Sequence, residues 1–339
     1  MDNLIFSFNV VAPLVLLIAV GCVLRKLGVG DDFWNLANKL VFRLFLPVLL
    51  FCNVYSLKSV KNIDVAFVVY AVVAIIVVFL AAMAIVPLFV KENSQKGVVI
   101  QALFRSNYAI IGVPLATSLY GAEGAACASL LSAFIIPLFN VLAVVALSAY
   151  APSEAHDMKS KRTIFAKVGK GIVTNPLIIS VFAGILTLLV REIFVANDID
   201  FRLFDFSLFG TNVTFVGDVC KSLANVATPL ALLVLGGKFS FSSDFSTRKT
   251  VAIVTFLRMV VLPSVALVVA HFVAPSLRGE HIAAYIAVFG SPVAVASAVM
   301  AREMGGDDKL AGKLVVWNTV ASAFTLFAII AATKALGWL

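Results

Sequence analysis

Charge is what this sequence has least of. Asp, Glu, Lys and Arg together make up 13% of its 339 residues, against 62% apolar types. That is too little ionic surface to clothe a water-soluble core, so soluble enzymes and soluble binding modules are excluded. Histidine is scarce as well: His156, His271 and His281 show no HExxH or HxxxH spacing. The cysteines Cys22, Cys52, Cys127 and Cys220 form no CxxC or Cys/His pattern and fall in or beside apolar runs. No metal, cofactor or disulfide framework is expected, and the cysteines read as small buried apolar residues. Long polar loops are also missing. The longest, 151–163 and 196–212, are too short for a catalytic or regulatory domain. The first apolar run, 4–24, has no basic segment before it and no small-residue cleavage site after it, so it reads as a retained span. A net charge of +8 would point a soluble protein towards nucleic acid. Here the basic residues sit in short loops between apolar runs, where membrane orientation accounts for them and no nucleic-acid partner is needed.

Apolar runs are what the chain has in abundance. Ten are long enough to cross about 30 Å of hydrocarbon: 4–27, 34–55, 64–90, 96–119, 122–149, 171–192, 215–237, 249–273, 281–303 and 310–336. The expected fold is therefore an all-α polytopic membrane protein with ten transmembrane helices. Loops after the odd-numbered spans carry most of the cations, among them Arg25, Lys26, Lys91, Lys159, Lys161, Arg162, Lys238, Arg302 and Lys309; the other side carries Lys58, Lys61, Arg191, Arg202, Arg278 and Lys334. The positive-inside bias then predicts cytoplasmic odd loops and both termini on the non-cytoplasmic side of the cell (inner) membrane.

The two halves, 1–150 and 164–339, look related. Leu46-Pro47-Val48-Leu49-Leu50 resembles Thr228-Pro229-Leu230-Ala231-Leu232-Leu233, and Leu119-Tyr120-Gly121-Ala122-Glu123 resembles Met304-Gly305-Gly306-Asp307-Asp308. Pro47 and Pro229 lie 182 positions apart, Pro114 and Pro292 178. A repeat of five spans has odd parity, so the second copy enters the membrane the other way up and the repeat is inverted.

Two spans are damaged at corresponding places. Span four carries Arg105-Ser106-Asn107-Tyr108-Ala109-Ile110-Ile111-Gly112-Val113-Pro114, and span nine carries Gly290-Ser291-Pro292. Proline removes a backbone donor and crowds the preceding turn, so such breaks survive at membrane depth only where protein or a cavity satisfies the freed groups. Gly112, Pro114, Gly290 and Pro292 are the expected helix-break residues. Paired breaks in two repeats point to a transport site near the midplane. Asn107 is the leading ligand: its amide donates to a carboxylate without the cost of a buried charge, and the N-terminal end of a half-helix adds partial positive charge. Ser291 matches it from the other repeat. Arg105 and Tyr108 belong to the same polar stretch as Asn107, and Thr228 and Asn225 precede Pro229; these four complete the candidate substrate contacts. Arg43 and Arg258 are further intramembrane cations, read as side chains that reach for the helix ends. Asn53, Gln101, Asn140, Asn175, Ser297 and Asn318 read as interhelical hydrogen bonds. No His, Cys or paired acids converge as an intramembrane enzyme needs. No carboxylate lies in either break, so coupling to Na+ or H+ has only Asp218 or Glu303 to call on, and uniport stands beside it.

These residues carry a resemblance. Asn107, Gly112 and Pro114 as N-x4-G-x-P, then Leu119-Tyr120-Gly121, Pro292 followed by Ala301-Arg302-Glu303, and Pro229-Leu230-Ala231-Leu232 ending in Leu235-Gly236 are similar to the auxin efflux carrier family over essentially the whole chain. The short 151–163 loop resembles the bacterial members. The resemblance implies a fold like that of bile acid sodium symporters, with a scaffold domain from helices 1, 2, 6 and 7 and a transport domain from helices 3–5 and 8–10. It implies that helices 4 and 9 break and cross, that an organic anion such as malate, malonate or an auxin-like weak acid binds at the crossover, and that movement is elevator-like in a homodimer. A sodium-coupled symporter of a larger amphipathic acid is the alternative it allows, with a channel or receptor further off. Ser291 and Ala294 stand where relatives often have Asn or Gln, which leaves the acid unnamed.

Overall fold

The computed structural model describes residues 2–55, 65–150, 174–196, 206–208, 211–213, 215–238, 247–273 and 279–339. The boundary expected between the halves lies outside the described residues, as do Lys58, Lys61, Lys159, Lys161, Arg162, Arg202 and Arg278.

Helices dominate. In chain order they are α1 (Asp2–Lys26), α2 (Asp31–Leu40), α3 (Leu46–Tyr55), α4 (Val65–Phe89), α5 (Asn93–Phe104), α6 (Val113–Ala149), α7 (Pro176–Ala196), α8 (Phe215–Gly237), α9 (Arg248–Phe256), α10 (Leu262–Val273), α11 (Gly279–Gly290), α12 (Ala296–Glu303) and α13 (Asp308–Ala335). The loop before α8 adds a hairpin in which β1 (Phe206–Leu208) pairs antiparallel with β2 (Thr211–Val213). Among the described residues eight helical stretches are long and apolar enough to cross a membrane, where the sequence predicts ten. The difference has a local cause. Spans four and nine are each divided in the middle, and neither 96–119 nor 281–303 runs as one helix.

Proline shapes the helices that continue. The chain widens into a π turn two residues ahead of three prolines: Val41–Phe45 before Pro47, Tyr108–Gly112 before Pro114 and Leu257–Val261 before Pro263. Each proline lacks an N–H and crowds the carbonyl four residues back, so the turn opens to relieve the clash while the helix carries on. The 37 residues of α6 would exceed a bilayer if straight. They bend sharply at Tyr120–Gly121, where Gly121 takes φ 57° and ψ −141°. Only glycine enters that region without steric cost. The bend falls at the boundary between the fourth and fifth apolar runs.

Burial separates two kinds of helix. The outer faces of α1, α4 and α7 expose Leu16, Val23, Val69, Val77, Phe182 and Leu186, apolar surface that suits lipid rather than water. By contrast, Gly97–Phe104 of α5 and His281–Gly290 of α11 are buried on every side, as expected of helices apolar all round. The two interrupted helices are thus the most enclosed elements. They pack against α6, α4 and α13, and the Tyr285 hydroxyl fixes α11 to α4 by donating to the Phe67 carbonyl at 2.8 Å.

Candidate functional site

The interruptions meet each other. After Phe104 the chain turns extended at Arg105 (φ −89°, ψ 113°) and leaves helical geometry at Asn107 (φ −80°, ψ 53°). After Gly290 it is non-helical through Ser291–Ala294. Ser106 and Val293 form an isolated antiparallel bridge, and the Asn107 amide donates to the Pro292 carbonyl at 2.7 Å. Backbone groups freed by ending two helices at depth therefore satisfy one another.

The first break lies earlier than the prolines suggest. Pro114 lies inside the helix that starts at Tyr108, where the π turn accommodates it, and the interruption is at Arg105–Asn107. Gly112 acts through its lack of a side chain. A Cβ there would stand 2.9 Å from the Ala287 carbonyl, so glycine lets the π turn approach α11. In the second break Gly290 ends α11 and Pro292 lies in the extended segment itself.

A cavity of about 580 Å³ opens at the breaks. Its wall includes Arg105, Ser106, Asn107, Tyr108, Ala109 and Ile110 from the first interruption and Ala294, Val295 and Ala296 from the second; Asn38, Arg43, Asn140, Thr174, Asn175 and Lys238 complete its polar lining among the described residues. Three cations and four amides face no carboxylate among the described lining residues. Two helical stretches also begin here, at Tyr108 and at Ala296, and the first turn of a helix carries partial positive charge, although the Ser297 and Ala298 amides already donate to the Ala294 and Val295 carbonyls at 2.9 and 3.3 Å.

The individual partners sharpen this picture. The Asn107 side-chain amide nitrogen and the Ser106 hydroxyl are buried and have no hydrogen-bond partner among the described residues. Leaving such a group unmet costs about 1–3 kcal/mol, so the wall holds donors ready for an acceptor. Arg105 is buried, and its guanidinium donates to Asn140 Oδ1 at 2.8 Å and meets the Met300 sulfur; no acid neutralises it there. Tyr108 commits its hydroxyl to the Ala128 carbonyl at 2.8 Å, which leaves only the start of its helix to the cavity. Asn175 caps α7 by accepting from the Leu177 amide at 2.9 Å.

Three sequence-predicted residues are not brought to the cavity. Ser291 is fully buried behind the break, its hydroxyl unpartnered and its carbonyl held by Arg258. Asn225 is exposed on α8 and Thr228 half-buried, and neither is in the cavity wall. The buried face of α8 is its small-residue stripe Ala224, Ala227 and Ala231, which turns Asn225 outward. Conversely, Asn140 and Asn175 line the cavity although their sequence context reads as interhelical bonding, and Asn38 and Lys238 had no local signal beyond being polar at a span end.

Arg258 has the most particular surroundings. It is 1% exposed, and its guanidinium donates to the carbonyls of Phe289 at 2.5 Å and Ser291 at 2.8 Å. Those carbonyls close the C-terminal end of α11, where free oxygens carry partial negative charge. Arg258 thereby sets a positive charge against the partial negative end of α11.

Among the described residues no three of His, Cys, Asp and Glu come together. No curated protein matches the chain. A family model described as membrane transport protein matches residues 6–330, and since this spans nearly the whole sequence, the chain belongs to the auxin efflux carrier family of multi-pass membrane transporters.

Proposed function

We propose that the protein is a secondary transporter of a small organic anion, a mono- or dicarboxylate, bound at the meeting of the two interrupted helices. The observation that carries this reading is the composition of the cavity wall: Arg43, Arg105 and Lys238, four amides, two helix beginnings and no described acid. An anion gains charge-assisted hydrogen bonds there and takes up the unpartnered Asn107 donor, while a cation is repelled. A volume of about 580 Å³ suits a small acid. The ligand contacts are assigned to Asn107 and Arg105, supported by the partial positive charge where each helix begins. Ser291 acts through its backbone.

The architecture assigned to this function is ten crossings in two inverted repeats. Its support is a third proline pair: Pro87 in α4 and Pro263 in α10 lie 176 positions apart, close to the separations of 182 and 178 seen for the other two. The breaks then occupy equivalent places in the repeats. Because backbone pairing couples them, the segment carrying the site moves as one body past its surroundings, which is what an elevator mechanism requires. Cytoplasmic odd loops, termini on the opposite side of the cell membrane and a homodimer complete the proposal.

Uptake into proteoliposomes tests it. Labelled mono- and dicarboxylates are offered to the wild type and to Asn107→Ala. Saturable uptake of at least one acid that the substitution abolishes is the expected result. Uptake of no carboxylate, or uptake untouched by the substitution, refutes the reading.

A further inference from the structure

A second pocket, of about 400 Å³, lies beside the cavity and shares Leu235, Lys238 and Val295 with it. It is formed by the end of α8, by Ala298 and Arg302 of α12 and by the first turns of α13, which supply Asp308, Lys309, Gly312 and Lys313. Four cations line it against one acid among the described residues. That acid is already engaged: Asp308 accepts from Arg302 at 2.7 Å. Lys313 is buried to 8% exposure and donates to Thr247 at 2.9 Å, so one cation is held at the base of the pocket while Arg302 and Lys309 stand exposed at its rim.

The chemistry differs from that of the transport cavity. There, amides and unpartnered neutral donors predominate. Here ammonium and guanidinium groups converge in a small space, and without counting Lys313, which is engaged at the base, the charge of Lys238, Arg302 and Lys309 exceeds that of Asp308 by more than one carboxylate would balance. A dianionic group with several acceptor oxygens balances that surplus, and Lys and Arg are the side chains that recognise phosphate. Basic pockets between helices are also where anionic lipid headgroups bind.

We propose that this pocket is a binding site for a phosphate group, separate from the carboxylate cavity and touching it through Lys238. The phosphate comes either from free inorganic phosphate or from an anionic lipid headgroup.

The test uses the purified full-length protein in neutral detergent and reads the thermal midpoint. Inorganic phosphate and dihexanoyl-phosphatidylglycerol are the two probes, with dihexanoyl-phosphatidylcholine as the zwitterionic control, since a molecule that binds the folded state raises the midpoint by mass action. Stabilisation by inorganic phosphate assigns the free ion, and stabilisation by phosphatidylglycerol alone assigns the headgroup. In either case Lys309→Gln and Arg302→Gln weaken the apparent affinity about tenfold, Lys309→Arg restores it, and Asn107→Ala leaves it unchanged. Both altered side chains are exposed, so the unliganded midpoints stay at the wild-type value. No stabilisation by either probe overturns the proposal, as does stabilisation indifferent to Lys309→Gln and Arg302→Gln or lost in Asn107→Ala. None of these readouts involves a carboxylate, so failure here is distinguishable from failure of the transport reading.

Discussion

The amide of Asn107 donates to the carbonyl of Pro292 at 2.7 Å across 185 positions of sequence. The two interruptions are therefore joined by main chain, and the Asn107 side chain is left over. Its nitrogen has no partner in the described protein, so deleting it removes no intramolecular hydrogen bond. Asn107→Ala is expected to keep the wild-type thermal midpoint while uptake falls about tenfold or more. Asn107→Asp places a negative charge beside Arg105 and takes the place of the anionic substrate, so transport is lost without unfolding. A midpoint drop in Asn107→Ala comparable to that of a core truncation would contradict this separation.

Arg258 gives the opposite pattern. Its guanidinium satisfies carbonyls of Phe289 and Ser291 in a site with 1% exposure. Arg258→Met fills similar volume yet orphans those acceptors, and a destabilisation of about 2–4 kcal/mol is expected. Arg258→Lys keeps a donor but not the planar fork and recovers only part of it. Thermal denaturation of the two variants orders them as wild type, Lys, Met.

The bend in α6 depends on Gly121, whose φ is 57°. Nothing lies within 4 Å of a Cβ there, so the cost of substitution is conformational and not steric crowding by neighbours. Gly121→Val is expected to destabilise by about 1–3 kcal/mol. Gly121→Ala costs less, and the KM for the transported acid is unchanged in the folded fraction of either. Expression yield and thermal midpoint report the loss.

Asn225→Ala and Thr228→Ala are expected to leave uptake within about twofold of wild type, because neither residue lines the cavity; surface changes of this kind sit within about 0.5 kcal/mol. Their case shows what a sequence makes legible. Proximity to Pro229 drew attention to them, but which face of α8 is buried is decided by Ala224, Ala227 and Ala231 packing on neighbours. The polar run from Arg105 to Asn107 was legible because it breaks an apolar span. Its partner was not, since the contact between Asn107 and Pro292 joins residues far apart in the chain. Proline misled by seven residues: the helix through Pro114 is continuous from Tyr108, because a π turn absorbs the proline. Asn38, Asn140, Asn175 and Lys238 were unremarkable one by one and became a site only through tertiary packing. That eight helical stretches among the described residues are long and apolar enough to cross a membrane, where hydropathy gives ten runs, reflects the same fact, because an apolar run reports hydropathy whether or not its middle is helical.

The last expectation concerns pH. Lys238 lies just past the end of α8, and burial lowers its pKa below that of a free lysine, with Asp31 opposing the shift. Asp31 is itself drawn to Arg25 at 3.0 Å. In the cavity wall Lys238 stands with Arg43 and Arg105. An anion binds the protonated ammonium, so the attraction from Lys238 is fully present below its lowered pKa and is lost as pH rises through it. Affinity for the transported acid is therefore expected to weaken on the alkaline side, earlier than an ordinary lysine would dictate. Lys238→Arg removes that alkaline limb, because arginine does not titrate there. Lys238→Gln removes it as well, but with the weaker affinity at every pH. Measuring the KM for uptake against external and internal pH separately distinguishes them, and a limb that persists in Lys238→Arg assigns the titration to another group.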